Sequence, residues 1–159
     1  MKKVILLAAF VVSTLSMNAQ EFNLGLSGAL PVADTEELST AGLLLDANYL
    51  WNVSERFDLG VTAGYHHYFS DDPNNVDLDD FGFLPVAVSG RFNATENLAI
   101  GADFGFAAGV TDSTDEGFYY APKVQYGVTQ AIDIVLAYRG INQDYGSFDS
   151  VSLGIEFEL

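Results

Sequence analysis

Leu98-Ala-Ile-Gly-Ala-Asp-Phe-Gly-Phe-Ala-Ala-Gly-Val110 decides the fold of this chain. Leu98, Ile100, Ala102, Phe104, Phe106, Ala108 and Val110 fall on one side of an extended strand. Ala99, Gly101, Asp103, Gly105, Ala107 and Gly109 fall on the other. Wound into a helix, the same apolar residues would scatter around the axis, so a period of two excludes an amphipathic helix. Phe57 to Tyr65 and Val151 to Leu159 alternate in the same way. Phe22–Leu30, Leu43–Trp51, Phe83–Phe92, Phe118–Tyr126 and Ile132–Gly140 do so less regularly, and Pro85 and Pro122 lie inside two of them. The spacing predicts an all-β chain of eight strands of about 9–13 residues, the length a tilted strand needs to cross a bilayer.

The connections alternate between short and long. Trp51-Asn-Val-Ser-Glu-Arg-Phe57, Phe92-Asn-Ala-Thr-Glu-Asn-Leu98 and Tyr126-Gly-Val-Thr-Gln-Ala-Ile132 share one plan. Each has an aromatic residue, five turn residues with a hydroxyl at the third, and then an apolar residue. The other connections, 33–40, 70–80, 111–116 and 142–147, are longer and acidic. Short turns at one end and long polar loops at the other are the plan of an up-and-down transmembrane barrel.

Ahead of the strands, Lys2 and Lys3 precede an apolar run from Val4 to Leu15, and Met17-Asn18-Ala19 precedes Gln20. This order predicts a cleavable signal peptide over residues 1–19 and a barrel domain over 20–159. Without the signal the chain keeps four basic and 22 acidic residues, a formal net charge of −18. That balance excludes nucleic acid as a partner. With no cysteine there is neither a disulfide nor a thiolate metal site. Strong acidity nevertheless coexists with a positive mean hydropathy and 49% hydrophobic residues. After the signal no apolar run approaches the roughly 20 residues of a spanning helix.

A soluble calycin-like barrel would turn the large apolar face inward and wet the other. That other face is mostly Gly, Ala, Ser, Thr, Asn and Asp, with only Arg91, Lys123 and Arg139 as bases. Such a face is a poor soluble surface and a good narrow lumen. Trp51, Phe57, Phe92 and Tyr126 flank the short turns, while Tyr65, Phe106, Phe118, Tyr138 and Tyr145 lie towards the long loops. Two bands of rings suit two membrane–water interfaces.

Phe83-Leu-Pro-Val-Ala-Val-Ser-Gly-Arg-Phe92 followed by Leu98-Ala-Ile-Gly-Ala-Asp-Phe-Gly-Phe106 resembles the small outer-membrane barrels of the OmpA transmembrane-domain and OmpX kind. The resemblance covers residues 21–159 and rests on patterned strands, not on a catalytic motif. It implies a Gram-negative outer membrane, with membrane lipid, periplasmic chaperones and the barrel-assembly machinery as partners, and it leaves any extracellular partner unnamed. Such families end in an aromatic residue read at assembly. Here Leu159 is terminal, with Phe157 two before it, and no peptidoglycan-binding domain is expected.

A closed lumen is expected to be plugged by charge pairs. The hairpin register sets Asp58 beside Arg91 and Asp103 beside Lys123. Arg139 and Glu156 join the inward charged set. Asp46, Asp133, Glu156 and Glu158 are in excess and must meet water near the ends or bind protons. His66 and His67 are adjacent, so on a strand they face opposite sides and cannot share a metal. Ser70 with His67 is the one pair worth weighing for lipid hydrolysis, and no motif marks an acidic orienter. The loop from Asp71 to Asp80 holds five aspartates without the EF-hand order, which favours a solvated loop over a calcium site. Asn52-Val-Ser54 and Asn93-Ala-Thr95 match a glycosylation sequon and are simpler as turn residues. No cofactor is expected. The functional expectation is a non-enzymatic envelope protein serving as scaffold, adhesin or minor solute leak. The alternatives are a lipid-modifying enzyme and a secreted ligand-binding barrel.

Overall fold

The computed structural model describes residues 20–32, 39–70, 80–112, 114–144 and 146–159. The predicted signal peptide and most of the aspartate-rich loop lie outside these residues. Eight strands follow one another: β1 (Gln20–Val32), β2 (Ser39–Ser54), β3 (Phe57–Ser70), β4 (Phe81–Asn93), β5 (Leu98–Gly109), β6 (Gly117–Gly127), β7 (Ile132–Gln143) and β8 (Gly146–Glu158). Each pairs antiparallel with the next, and β1 closes on β8 through Asn23 opposite Glu158 to Val32 opposite Asp149. Closure leaves no open edge, which is what a hydrocarbon surrounding demands of a sheet. Several strands run past the expected ends: β3 continues from Tyr65 to Ser70, and β8 begins at Gly146 instead of Val151.

The repeated hydroxyl in the short connections has a single local cause. Ser54 Oγ accepts the Arg56 N–H at 3.4 Å, Thr95 Oγ1 the Asn97 N–H at 3.3 Å and Thr129 Oγ1 the Ala131 N–H at 3.2 Å. Each hydroxyl satisfies an amide that the tight reversal would leave unpaired. Both prolines sit where the ladder already skips a pairing. The β3–β4 register passes from Ala63 opposite Val86 to His66 opposite Phe83, and the β6–β7 register from Tyr120 opposite Gly140 to Lys123 opposite Ala137. Pro85 and Pro122 therefore remove no bond from those ladders.

The side chains sort by parity. Asp58, Thr62, Ser89, Asp103, Lys123, Gln125, Ser152 and Glu156 are buried, whereas Leu59, Val61, Val86, Val88, Phe104, Phe106, Leu153 and Ile155 are exposed. The inversion is large: Leu153 is 60% exposed and its neighbour Ser152 only 1%. A soluble protein hides its leucines and wets its charges, so this chain is built for an apolar solvent on the outside. Trp51, Phe57, Phe92 and Tyr126, at the short-turn end, all point outward. An arginine at Leu153, which lies opposite Gly28 and Leu136, should therefore cost about 2–4 kcal/mol of folding stability in lipid. Urea unfolding from phosphatidylcholine vesicles measures it. A neutral result would instead fit a soluble barrel.

Candidate functional site

The lumen is a stack of four layers. Nearest the short turns is a vestibule of about 570 Å³, lined by Glu21, Asp58, Glu96, Asp133 and Glu158 with Arg91 at its floor. Asp58 lies opposite Arg91 in the register, as the hairpin implies. Its carboxylate instead accepts the side-chain amides of Asn52 and Asn93, each at 2.7 Å.

The second layer is organised by Glu156. Arg91 Nη2 donates to Glu156 Oε1 at 2.6 Å, Gln125 Nε2 to the same oxygen at 3.0 Å, and Asn48 Nδ2 to Oε2 at 2.6 Å. Arg91 thus pairs across the lumen from β4 to β8, and not with Asp58 on the neighbouring strand. The physical reason is reach: eight strands enclose a bore narrow enough for a guanidinium to span, and the Asp58 carboxylate is already satisfied by the amides of Asn52 and Asn93. Lys123 Nζ and Asp103 meet at 2.9 Å, both buried, and Ser89 Oγ donates to Asp103 Oδ1 at 2.6 Å. Gly101, opposite Lys123, leaves room for that long side chain.

Arg139 holds the third layer. Its Nη2 lies 2.8 Å from Asp46 Oδ2, its Nη1 donates to the Tyr119 hydroxyl at 3.0 Å and its Nε to Ser152 Oγ at 2.9 Å. His66, fully buried, places Nε2 2.9 Å from Asp46 Oδ1 and 3.2 Å from Arg139 Nη1. Asp46 is therefore the partner of Arg139, where the sequence leaves it as a surplus acid. Three bases meet three acids, so the middle of the bore is neutral. The buried Asn23 Oδ1, Asn48 Oδ1, Gln125 Oε1, His66 Nδ1 and Arg91 Nε have no hydrogen-bond partner among the described residues.

The fourth layer, towards the long loops, is aromatic. Tyr68, Phe83, Phe148 and Phe81 pack with ring centroids 4.6–6.3 Å apart, supported by Leu44, Tyr119 and Ile141. The Tyr68 hydroxyl bonds Ser150 Oγ at 2.8 Å. The sequence reading gives a polar lumen closed by charge pairs, and this aromatic stopper is absent from it. Parity could have found it, since counting by twos from Thr62 on the inward face reaches Tyr68.

On the outer surface His67 stands between the Tyr65 hydroxyl, 3.3 Å from Nδ1, and Asp80 Oδ2, 3.0 Å from Nε2. Asp80 Oδ1 accepts the Ser70 N–H at 3.0 Å and the Ser70 hydroxyl at 3.4 Å. The Ser70 amide and the His67 contact hold the Asp80 carboxyl below the usual range. Ser70 Oγ is thus turned to the carboxylate and not to the histidine, and both ring nitrogens are occupied. No group of three metal-ligating side chains comes together among the described residues.

Closed topology, an apolar exterior and a charge-paired bore define a small eight-stranded transmembrane β-barrel. No protein-family model and no curated protein sequence matches the chain. Solved structures do match in fold. Ail, the attachment invasion locus protein of Yersinia pestis, aligns at a TM-score of 0.63 and 15% identity over 90% of this chain and 100% of its own. The N-terminal β-barrel domain of Pseudomonas aeruginosa OprF aligns at 0.57 and 13% identity, over 87% and 97%. A de novo designed transmembrane β-barrel aligns at 0.57 and 15% identity, over 90% and 98%. The chain has the fold of the small outer-membrane barrels.

Proposed function

We propose that the chain is a non-enzymatic outer-membrane protein, a closed barrel that anchors acidic loops at the cell surface. The observation that carries the reading is the continuous outward apolar belt around a bore closed by ion pairs and rings. Catalysis is disfavoured by the surroundings of His67, because a serine nucleophile needs a histidine nitrogen to take its proton. The four long connections carry twelve acidic residues and no lysine or arginine. A crystal structure of Ail contains the heparin analogue sucrose octasulfate. A sulfated sugar would be repelled by the loops of this chain, so an adhesive partner would have to be basic.

Planar-bilayer recording tests the closed bore: no large, stable channel steps are expected, and such steps would replace the scaffold reading with a pore. Incubation with outer-membrane lipid followed by mass spectrometry should show no change in acyl composition. A conversion lost in His67→Ala or Ser70→Ala would establish the enzyme instead.

A further inference from the structure

The three buried pairs leave the vestibule with an excess of acids. Among the described residues Arg91 is the only base that lines it, and its guanidinium is committed to Glu156. Its other acidic neighbour, Glu21, is 3.9 Å away. Glu96, Asp133 and Glu158 form no ion pair with a base among the described residues, and Asp58 is held by neutral amides. Arg56, in the first short turn, lines an adjoining outer groove that shares Asn93 and Glu96 with the vestibule, and it forms no ion pair with Glu96. A second observation is independent of these acids. Gln125 lines an inner recess that shares Arg91, Asn93, Glu96 and Asp133 with the vestibule. It is 1% exposed, its Nε2 is given to Glu156, and its Oε1 has no donor.

We propose that this vestibule binds a small organic polycation of the linear polyamine class. The charged groups it leaves without a base are carboxylates spread around a mouth, and Gln125, which lines the recess behind them, has an amide oxygen without a donor. A compact metal ion needs several ligands converging within bonding distance, and no such convergence exists among the described residues. An extended chain of ammonium groups, each with its own donors, matches separated carboxylates. The cavity is large enough for such a chain with some of its water.

Isothermal titration of spermidine into the chain folded in zwitterionic micelles tests the site at near-physiological salt. Saturable binding of one equivalent is expected. Asp133→Asn combined with Glu158→Gln should weaken it about tenfold. Removing equal charge at the other end, with Asp112→Asn and Asp115→Asn, should leave it unchanged. The vestibule pair replaces exposed or half-buried carboxylates by isosteric amides, and an unchanged unboiled gel mobility would establish that it still folds. Absence of saturation would overturn the proposal. So would equal weakening by both double variants, or displacement by magnesium at the same charge concentration, which would mark diffuse attraction to an acidic protein.

Discussion

Arg91→Ala is expected to cost about 3–5 kcal/mol of folding stability, because it strands the Glu156 carboxylate in the bore with only the amides of Asn48 and Gln125. Both partners are almost fully sheltered, at 7% and 6% side-chain exposure, so in the intact barrel the guanidinium, and not bulk water, balances the carboxylate. Trp51, the single tryptophan, reports unfolding in urea when the barrel is folded into vesicles. Adding Glu156→Gln to Arg91→Ala should recover part of the loss, since the orphaned charge leaves with it. The two changes must then be strongly non-additive. Additivity within about 0.5 kcal/mol would mean that the pair is not coupled. In planar bilayers Arg91→Ala should also raise any small leak, while the aromatic layer above it still prevents a wide pore.

Gly105→Ala should have an effect of similar size through the backbone. Gly105 lies between Ala87 of β4 and Tyr119 of β6, on the inward face. A Cβ there would collide with the Val86 carbonyl oxygen and come within 2.5 Å of the Ala87 Cα. No rotamer change relieves a clash with main chain, so β4 and β5 must separate. The cost should reach or exceed the roughly 3 kcal/mol end of overpacking penalties. Gly28→Ala is the control, because a Cβ at Gly28 meets nothing within 4 Å. That change should be neutral or stabilising by about 0.5 kcal/mol. Equal loss in both variants, measured by heat-dependent gel mobility and urea midpoint, would sink the close-approach explanation.

The fold was legible because its two signals are local. Alternation in Leu98–Val110 sets a face, and the hydroxyl in Ser54, Thr95 and Thr129 sets a turn, each within a handful of residues. Register followed from turn length, so Asp58 opposite Arg91 could be counted out in advance. What the charges then do could not. Arg91 finds Glu156 and Arg139 finds Asp46 across the bore, a distance fixed by barrel closure and by no pair of adjacent strands. Asp58 was lost as a partner to Asn52 and Asn93, whose amides sit closer at the mouth. The aromatic layer was hidden for another reason. Tyr68 and Phe148 lie beyond the ends where alternation is clean, and rings near strand ends read as interfacial unless their parity is followed inward.

The bore is open and acidic at one end and stoppered by Tyr68, Phe83 and Phe148 at the other. Among the described residues its ionisable interior therefore opens only towards the short-turn mouth. A proton or small solute that reaches Glu156 or Asp103 comes by way of the short-turn mouth. In the orientation proposed above, the loops can face a changing exterior without altering the state of the charges that hold the barrel together. The molecule insulates its own electrostatic framework from the end that carries its long connections.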